Sequence, residues 1–394
     1  VKAVEPSSHY KGLSANAKAS SGGERRIYQN NVSVSSLLFP VLLLFTTGLL
    51  MIFDASSGEM VDLASGKNPF LGLFRQLVWG IGGIIAAGVA WKVGLERVIE
   101  KSAWLYGLLL LALVFVFIPG IGISANGARR WIGFHGFSIQ PSEFMKVILP
   151  AYFVWYCSNH PEVFADFRSY LILVARVGAP VVLILLEPNN GTAAVIALMI
   201  GVLTIAVGIP ARFWVIPLCI IALGIGTFAV SSQYVRTRLT NYLHPEADIK
   251  GKGHQPYQAK IAAGSGGVLG RGPAKSMQKL SYLPEAQNDY IAAIFAEEFG
   301  FIGVTLLLSV YLWLLHEVWK VLEYTNDGAG FCWGVSLFFL LSFQTFMNLG
   351  VVSGLLPSTG LNLPFFSQGG SSLVANSFGI GLLMSLKKKT FASE

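Results

Sequence analysis

The chain has 394 residues, of which 53% are hydrophobic and only 12% charged, and a formal net charge of +7. Average soluble domains carry about 25% charged residues, so the composition excludes a soluble protein with a single anchor and indicates a polytopic membrane protein. Cys157, Cys219 and Cys332 lie in or beside apolar runs without metal-ligand spacing, which excludes a disulfide framework and favours packing.

Residues 1–33 are rich in Ser, Ala, Lys and Gly with no apolar core, and read as a disordered cytoplasmic tail. The first apolar run is too long for a cleaved secretory signal and leads into Asp54-Ala55-Ser56-Ser57 rather than a mature soluble domain. Windows of membrane-spanning length then recur near 34–53, 74–91, 103–118, 143–158, 170–187, 191–208, 212–230, 291–315, 329–351 and 368–386. The predicted fold is all-α, a polytopic integral membrane protein of about ten transmembrane helices. Its membrane domain covers 34–388, a large external loop occupies 231–289 between the seventh and eighth spans, and residues 389–394 form a short cytoplasmic tail. An even count puts both termini on one side. Arg25, Arg26, Lys92, Arg97, Lys101, Arg168, Arg212, Lys320 and Lys387–Lys389 all fall on that face, which the positive-inside tendency assigns to the cytoplasm.

The polar groups of interest gather on the opposite face. Asn126-Gly127-Ala128-Arg129-Arg130-Trp131 precedes Gln140-Pro141-Ser142-Glu143-Phe144-Met145-Lys146, where Ser142 is the expected helix N-cap and Glu143 sits in a first turn that favours a carboxylate. Glu143 and Lys146, three apart, share a helix face. They read equally as a local ion pair or as the charged wall of a polar cavity.

The 231–289 loop carries Arg236, Arg238, Lys250, Lys252, Lys260, Arg271, Lys275 and Lys279 against Glu246, Asp248, Glu285 and Asp289. A basic excess beside the glycine-rich stretches 264–267 and 270–272 suits either a lipid head-group surface or the oxygens of a diphosphate. The loop ends in Tyr282-Leu283-Pro284-Glu285-Ala286-Gln287-Asn288-Asp289-Tyr290, which puts Asp289 at a water-to-membrane boundary. By position alone that carboxylate is either a functional group or one stabilised by a helix N-terminus or a loop lysine. Glu297 and Glu298 follow at about 80° and 180° round the helix, so Glu297 is placed to join a pocket and Glu298 to pair elsewhere. From Asn348 to Ser372 two prolines and repeated glycines break the helical pattern. This predicts a re-entrant or broken segment lying against protein or a wet cavity, with Ser367, Ser371 and Ser372 as cavity candidates. The six histidines show no zinc spacing.

Taken together, Gly127-Ala-Arg-Arg-Trp, Gln140-Pro-Ser-Glu, Glu187-Pro188 with Gly191-Thr192, the Gly264 run, Tyr282-Leu-Pro-Glu and Gly369-Gly-Ser-Ser resemble, in order, the SEDS family of FtsW, RodA and SpoVE. The Gly354-Leu-Leu-Pro-Ser-Thr-Gly-Leu-Asn-Leu-Pro string is closer to the FtsW and SpoVE branch than to RodA, which implies septal wall synthesis rather than side-wall elongation. The resemblance implies a peptidoglycan glycosyltransferase that polymerises lipid II, a disaccharide-pentapeptide on undecaprenyl diphosphate, at the external face of the cytoplasmic membrane. It implies a class B penicillin-binding transpeptidase and other divisome membrane proteins as partners. Carried onto this sequence, it makes Asp289 the essential aspartate and places Glu143 and Lys146 in the cavity. Arg129, Arg130 and Glu297 are further cavity candidates, and Arg236, Arg238, Lys260 and Lys275 are candidates to meet the departing diphosphate.

A divalent cation, Mg or Mn, held by Asp289 or Glu143 is compatible with this chemistry but not demanded by any spacing. The sequence departs from the family pattern at Gln287, Asn288, Asn189, Asn190 and Gln368. The alternatives are a lipid II translocator, which should show charges near mid-membrane and inverted repeats, and a non-catalytic division scaffold.

Overall fold

A computed structural model describes residues 34–58, 70–125, 128–134, 137–215, 217, 219, 254–280, 283 and 286–392. The order is α1 (Val34–Gly58), α2 (Phe70–Val93), the short α3 (Leu95–Glu100), α4 (Ser102–Phe115), strands β1 (Gly122–Ala125), β2 (Ala128–Phe134) and β3 (Phe137–Ile139), and α5 (Pro141–Asn159). It continues with α6 (Phe167–Leu186), α7 (Asn190–Ala206), α8 (His254–Ser265), α9 (Ile291–Glu323), α10 (Gly328–Val352) and α11 (Gly370–Ala392).

The apolar windows become helices. Ser36–Ser56, Phe70–Val93, Phe167–Leu186, Ile291–Glu323 and Gly328–Val352 are each long and apolar enough to cross a membrane, and Ser102–Phe115, Asn190–Ala206 and Gly370–Leu386 are shorter apolar helices. Most of the expected seventh span, 212–230, lies outside the described residues, as does the tail 1–33. Lipid-facing surfaces of α1, α2, α4 and α6 expose large apolar side chains such as Leu50, Ile84, Trp104 and Leu186. The centre is α5, packed against α4, α6, α7, α10 and α11. Its helix begins two residues before expectation: Gln140 rather than Ser142 is the N-cap, and Pro141 occupies the first helical position, where its missing N–H costs nothing.

Three departures from the sequence reading have physical reasons. First, Gly122–Ala125, Ala128–Phe134 and Phe137–Ile139, which lie between two expected spans, form an antiparallel three-stranded sheet in the order β1-β2-β3. Second, α9 runs on to Glu323 but breaks at Gly300, where φ is 63° and ψ −163°. A break inside a span leaves backbone groups without partners, which must be satisfied by protein. The turn after α8 does this: Arg271 and Gly272 N–H donate to the carbonyls of Glu297 and Glu298 at 3.0 Å each, while Phe301 and Ile302 N–H donate to the carbonyls of Gly267 (2.9 Å) and Val268 (3.2 Å). The glycine-rich stretch therefore splices a broken helix, and those amides are not available to a diphosphate.

Third, Glu297 is turned to this loop rather than to a pocket. It is fully buried, accepts from Ser265 and Ser276 hydroxyls and from Met277 and Gln278 N–H, and pairs with Arg271 at 3.2 Å. Glu298 pairs elsewhere as expected. It takes Lys279 at 3.0 Å, and Lys279 also meets Asp54 of α1 at 2.6 Å. This loop is thus pinned to both α1 and α9 by buried charges.

The expected broken segment is present. Between α10 and α11 the chain is non-helical, yet Leu361, Leu363, Phe365 and Phe366 are buried. Its polar backbone is met by protein: Asn348 donates to Leu361 O (2.8 Å), Tyr311 hydroxyl to Pro364 O (2.7 Å), and Leu363 N–H to the Ser367 hydroxyl (2.9 Å).

Candidate functional site

Asp289 immediately precedes Tyr290, the residue that caps α9, and is partly exposed. One contact fixes its backbone. Asn348 Nδ2 donates to the Asp289 carbonyl at 2.8 Å, and the same amide holds Leu361 O, so one buried side chain ties the loop end to the broken segment. The carboxylate faces Gly360, whose φ of +69° suits glycine and whose absent side chain leaves room: a Cβ there would sit 3.5 Å from Asp289 Oδ2. Burial, with the Asp289 charge next, pushes the Tyr290 phenol up to about 12, opposed by its hydrogen bond to Ser358.

Arg130 comes to the same place from the sheet. Adjacent strand residues point to opposite faces, so Arg129 is exposed while Arg130 is half-buried. Arg130 Nε donates to the Glu187 carbonyl at 3.2 Å, and its terminal nitrogen donates to the carbonyl of Pro188. Burial lowers the guanidinium from its usual value, and the negative fields of Glu187 and then Asp289 oppose that shift. Arg130 is therefore within electrostatic reach of two carboxyl groups, Glu187 at the end of α6 and Asp289 at the start of α9.

Glu187 is the site member the sequence reading passed over. It is only 1% exposed, and neither carboxylate oxygen has a hydrogen-bond partner. Burial pushes its carboxyl up to about 8, with Arg130 pulling the other way. The sequence signal was a glutamate directly before a proline at the end of an apolar run, followed by Gly191-Thr192. A group whose folded pKa is raised lends stability below its unfolded value and loses it as pH rises through the folded one. Hence the thermal midpoint of the purified protein is expected to fall as pH rises from about 5 to about 8, and Glu187→Gln is expected to flatten that fall.

Gly191, on the first turn of α7, lets this strand of contacts close. A Cβ there would run into the carbonyl oxygen of Thr359, the residue before Gly360. Gly191→Ala is therefore expected to displace the wall of the Asp289 pocket and to lose about 1–3 kcal/mol of stability by overpacking, read as a lowered thermal midpoint together with lowered activity.

Glu143 and Lys146 form an ion pair of 2.7 Å near the outer end of α5, with Lys146 only 1% exposed. Lys146 Nζ and Glu143 Oε2 have no hydrogen-bond partner beyond that pair. The broken segment joins this pair's turn to the Asp289 loop: Gln140 N–H donates to the Ser371 hydroxyl and Gln368 N–H to the Gln287 carbonyl, both at 2.9 Å. Of the three expected serines, Ser371 thus touches the α5 turn. Ser367 instead holds its own turn, and Ser372 accepts from Asn376 at 3.4 Å. Gln76 of α2, buried and not anticipated, bridges Ser367 O and Gly369 N–H at 3.4 Å each.

Among the expected basic residues, the stem of Lys260 packs over Gly354 at the start of the broken segment, and Lys275 lies exposed against Gly272. Arg236 and Arg238 lie outside the described residues. Among the described residues no three His, Cys, Asp or Glu side chains gather as a metal site, and Glu143 is already engaged by Lys146.

Comparison with known proteins gives a consistent result. The sequence model of a family described as cell cycle protein, FtsW/RodA/SpoVE, matches residues 35–391. A probable peptidoglycan glycosyltransferase FtsW of Thioalkalivibrio sulfidiphilus is 35% identical over 368 residues, covering 91% of this chain and 90% of that protein. Stage V sporulation protein E of Bacillus subtilis is 35% identical over 353 residues, covering 89% and 96%. Among solved structures, a chain from a study of how a peptidoglycan synthase complex coordinates polymerization and crosslinking superposes with a TM-score of 0.73 at 27% identity, covering 90% and 97%. The rod shape determining protein RodA of Thermus thermophilus superposes with a TM-score of 0.65 at 26% identity, covering 90% and 96%.

Proposed function

Because this chain belongs to the FtsW/RodA/SpoVE family of cell cycle proteins, we propose that it is a peptidoglycan glycosyltransferase that polymerises lipid II at the Asp289–Arg130 pocket. The observation that carries the reading is a partly exposed carboxylate within electrostatic reach of a guanidinium fixed by two backbone carbonyls. Glycosyl transfer needs both. Asp289 takes the proton of the acceptor 4-hydroxyl as that oxygen bonds to the donor anomeric carbon. The bond from that carbon to the diphosphate breaks, and its electron pair leaves on the diphosphate. A guanidinium has five N–H donors, of which Arg130 commits two to carbonyls, so the rest are free to meet the leaving charge.

Lys260, at the rim of the broken segment, supports the same anion, and Lys275, Arg236 and Arg238 are further candidates for it. Glu143 and Lys146 wall the adjoining cavity. A divalent cation, where used, would be held by Asp289 together with the diphosphate. The FtsW names of the relatives support a septal role, and the synthase-complex neighbour supports a class B penicillin-binding transpeptidase as partner. The basic residues flanking the spans support cytoplasmic termini and a pocket on the outer face of the cytoplasmic membrane.

The test separates synthesis from translocation. Purified protein in liposomes would be given fluorescent lipid II, alone and with a class B transpeptidase, with glycan strands and leaflet exchange measured in the same sample. Strands are expected. Leaflet exchange without strands would replace this reading with the translocator, and neither would leave the scaffold.

A further inference from the structure

Arg176 lies nine residues into α6, about 14 Å along its axis, and is exposed on the surface that faces lipid. An ionisable group at such depth is costly and ordinarily has a partner. Among the described residues no carboxylate pairs with it.

What surrounds it is aromatic and hydroxylic. The guanidinium lies over the Tyr156 ring, 4.9 Å from its centre, with the Tyr152 hydroxyl near it. Tyr106 hydroxyl donates to the Arg176 carbonyl at 2.6 Å, and the Tyr106 and Tyr152 rings stack at 4.2 Å. The planar cation of α6 is therefore framed by two tyrosines of α5, while Tyr106 of α4 ties down its backbone, and among the described residues no carboxylate cancels its charge. Helix side chains lean toward the N-terminus, which carries the guanidinium toward the head-group level of the leaflet opposite the Asp289 pocket, since α6 reaches that pocket with its C-terminal end at Glu187.

We propose that this tyrosine-framed arginine is a binding site for the phosphate of an anionic phospholipid in that leaflet. Charge complementarity selects the occupant: a fixed guanidinium fork matches phosphate oxygens, the Tyr152 hydroxyl adds a polar partner, and the lipid tails continue along the exposed apolar faces of α4 and α6.

The test uses the full chain in nanodiscs of phosphatidylcholine with and without phosphatidylglycerol, reading bound lipid by native mass spectrometry after detergent release. The wild type is expected to retain phosphatidylglycerol preferentially and Arg176→Gln to retain several-fold less, with equal thermal midpoints in phosphatidylcholine alone. Equal retention by both overturns the proposal. Should Arg176→Gln not fold, Arg176→Lys decides: it keeps the charge but loses the fork, so reduced retention supports the site and wild-type retention overturns it.

Discussion

Asp289→Asn is expected to lower the rate of glycan polymerisation by about 10³-fold, within the range that a positioned general base contributes, while the protein still folds and still holds lipid II. The carboxamide has the shape of the carboxylate, so the contact with Gly360 and the backbone bond from Asn348 both persist. What disappears is the capacity to accept the acceptor hydroxyl's proton. Because the side chain is partly exposed and its packing role is small, loss of activity with an unchanged thermal midpoint separates a chemical role from a structural one. Asp289→Glu is expected to recover little, since one added methylene drives the carboxylate into the Gly360 backbone.

Arg130→Ala is expected to cost about 10²–10³-fold in rate, the loss seen when one fixed donor to developing charge is removed. The substitution also frees the carbonyls of Glu187 and Pro188 and strips the buried Glu187 carboxyl of its nearby cation, so the thermal midpoint should fall as well. Arg130→Lys discriminates the two effects. An ammonium restores the positive charge, and with it much of the stability, but a single point donor does not span two carbonyls and still present a fork to a diphosphate. Activity is expected to stay low. A fully active lysine variant would show that Arg130 supplies charge alone.

Much of the architecture was legible because the membrane demands long apolar runs, and those runs became α1, α2, α4 to α7 and α9 to α11. The broken segment was legible for the same reason in reverse: Pro357, Pro364 and the glycines around them are incompatible with a continuous helix. The break in α9 was not. A single Gly300 inside an apolar run reads as a tolerated glycine, and only the loop that comes back to satisfy its amides makes the break stable.

The same long-range event explains why Glu297 and the glycines at 264–272 were misread. Glycine-rich backbone suits an anion and a glutamate suits a polar pocket, but here the loop and the broken helix satisfy one another across a long stretch of sequence. Of the pocket, Asp289 was visible as a boundary carboxylate and Arg130 as part of a basic pair, but the sheet that turns Arg130 and not Arg129 inward was too short to stand out. Glu187 was hidden at the end of an apolar run, where a carboxylate ordinarily marks the return to water rather than a buried site.

The central claim is that one pocket, built by Asp289 and Arg130, makes glycan strands. The most direct measurement is strand formation by purified protein from labelled lipid II with a class B transpeptidase, wild type and Asp289→Asn compared at equal protein and equal bound lipid II. Strands from the wild type and about 10³-fold fewer per unit time from the variant are predicted, whereas equal strand formation by the two would contradict the account.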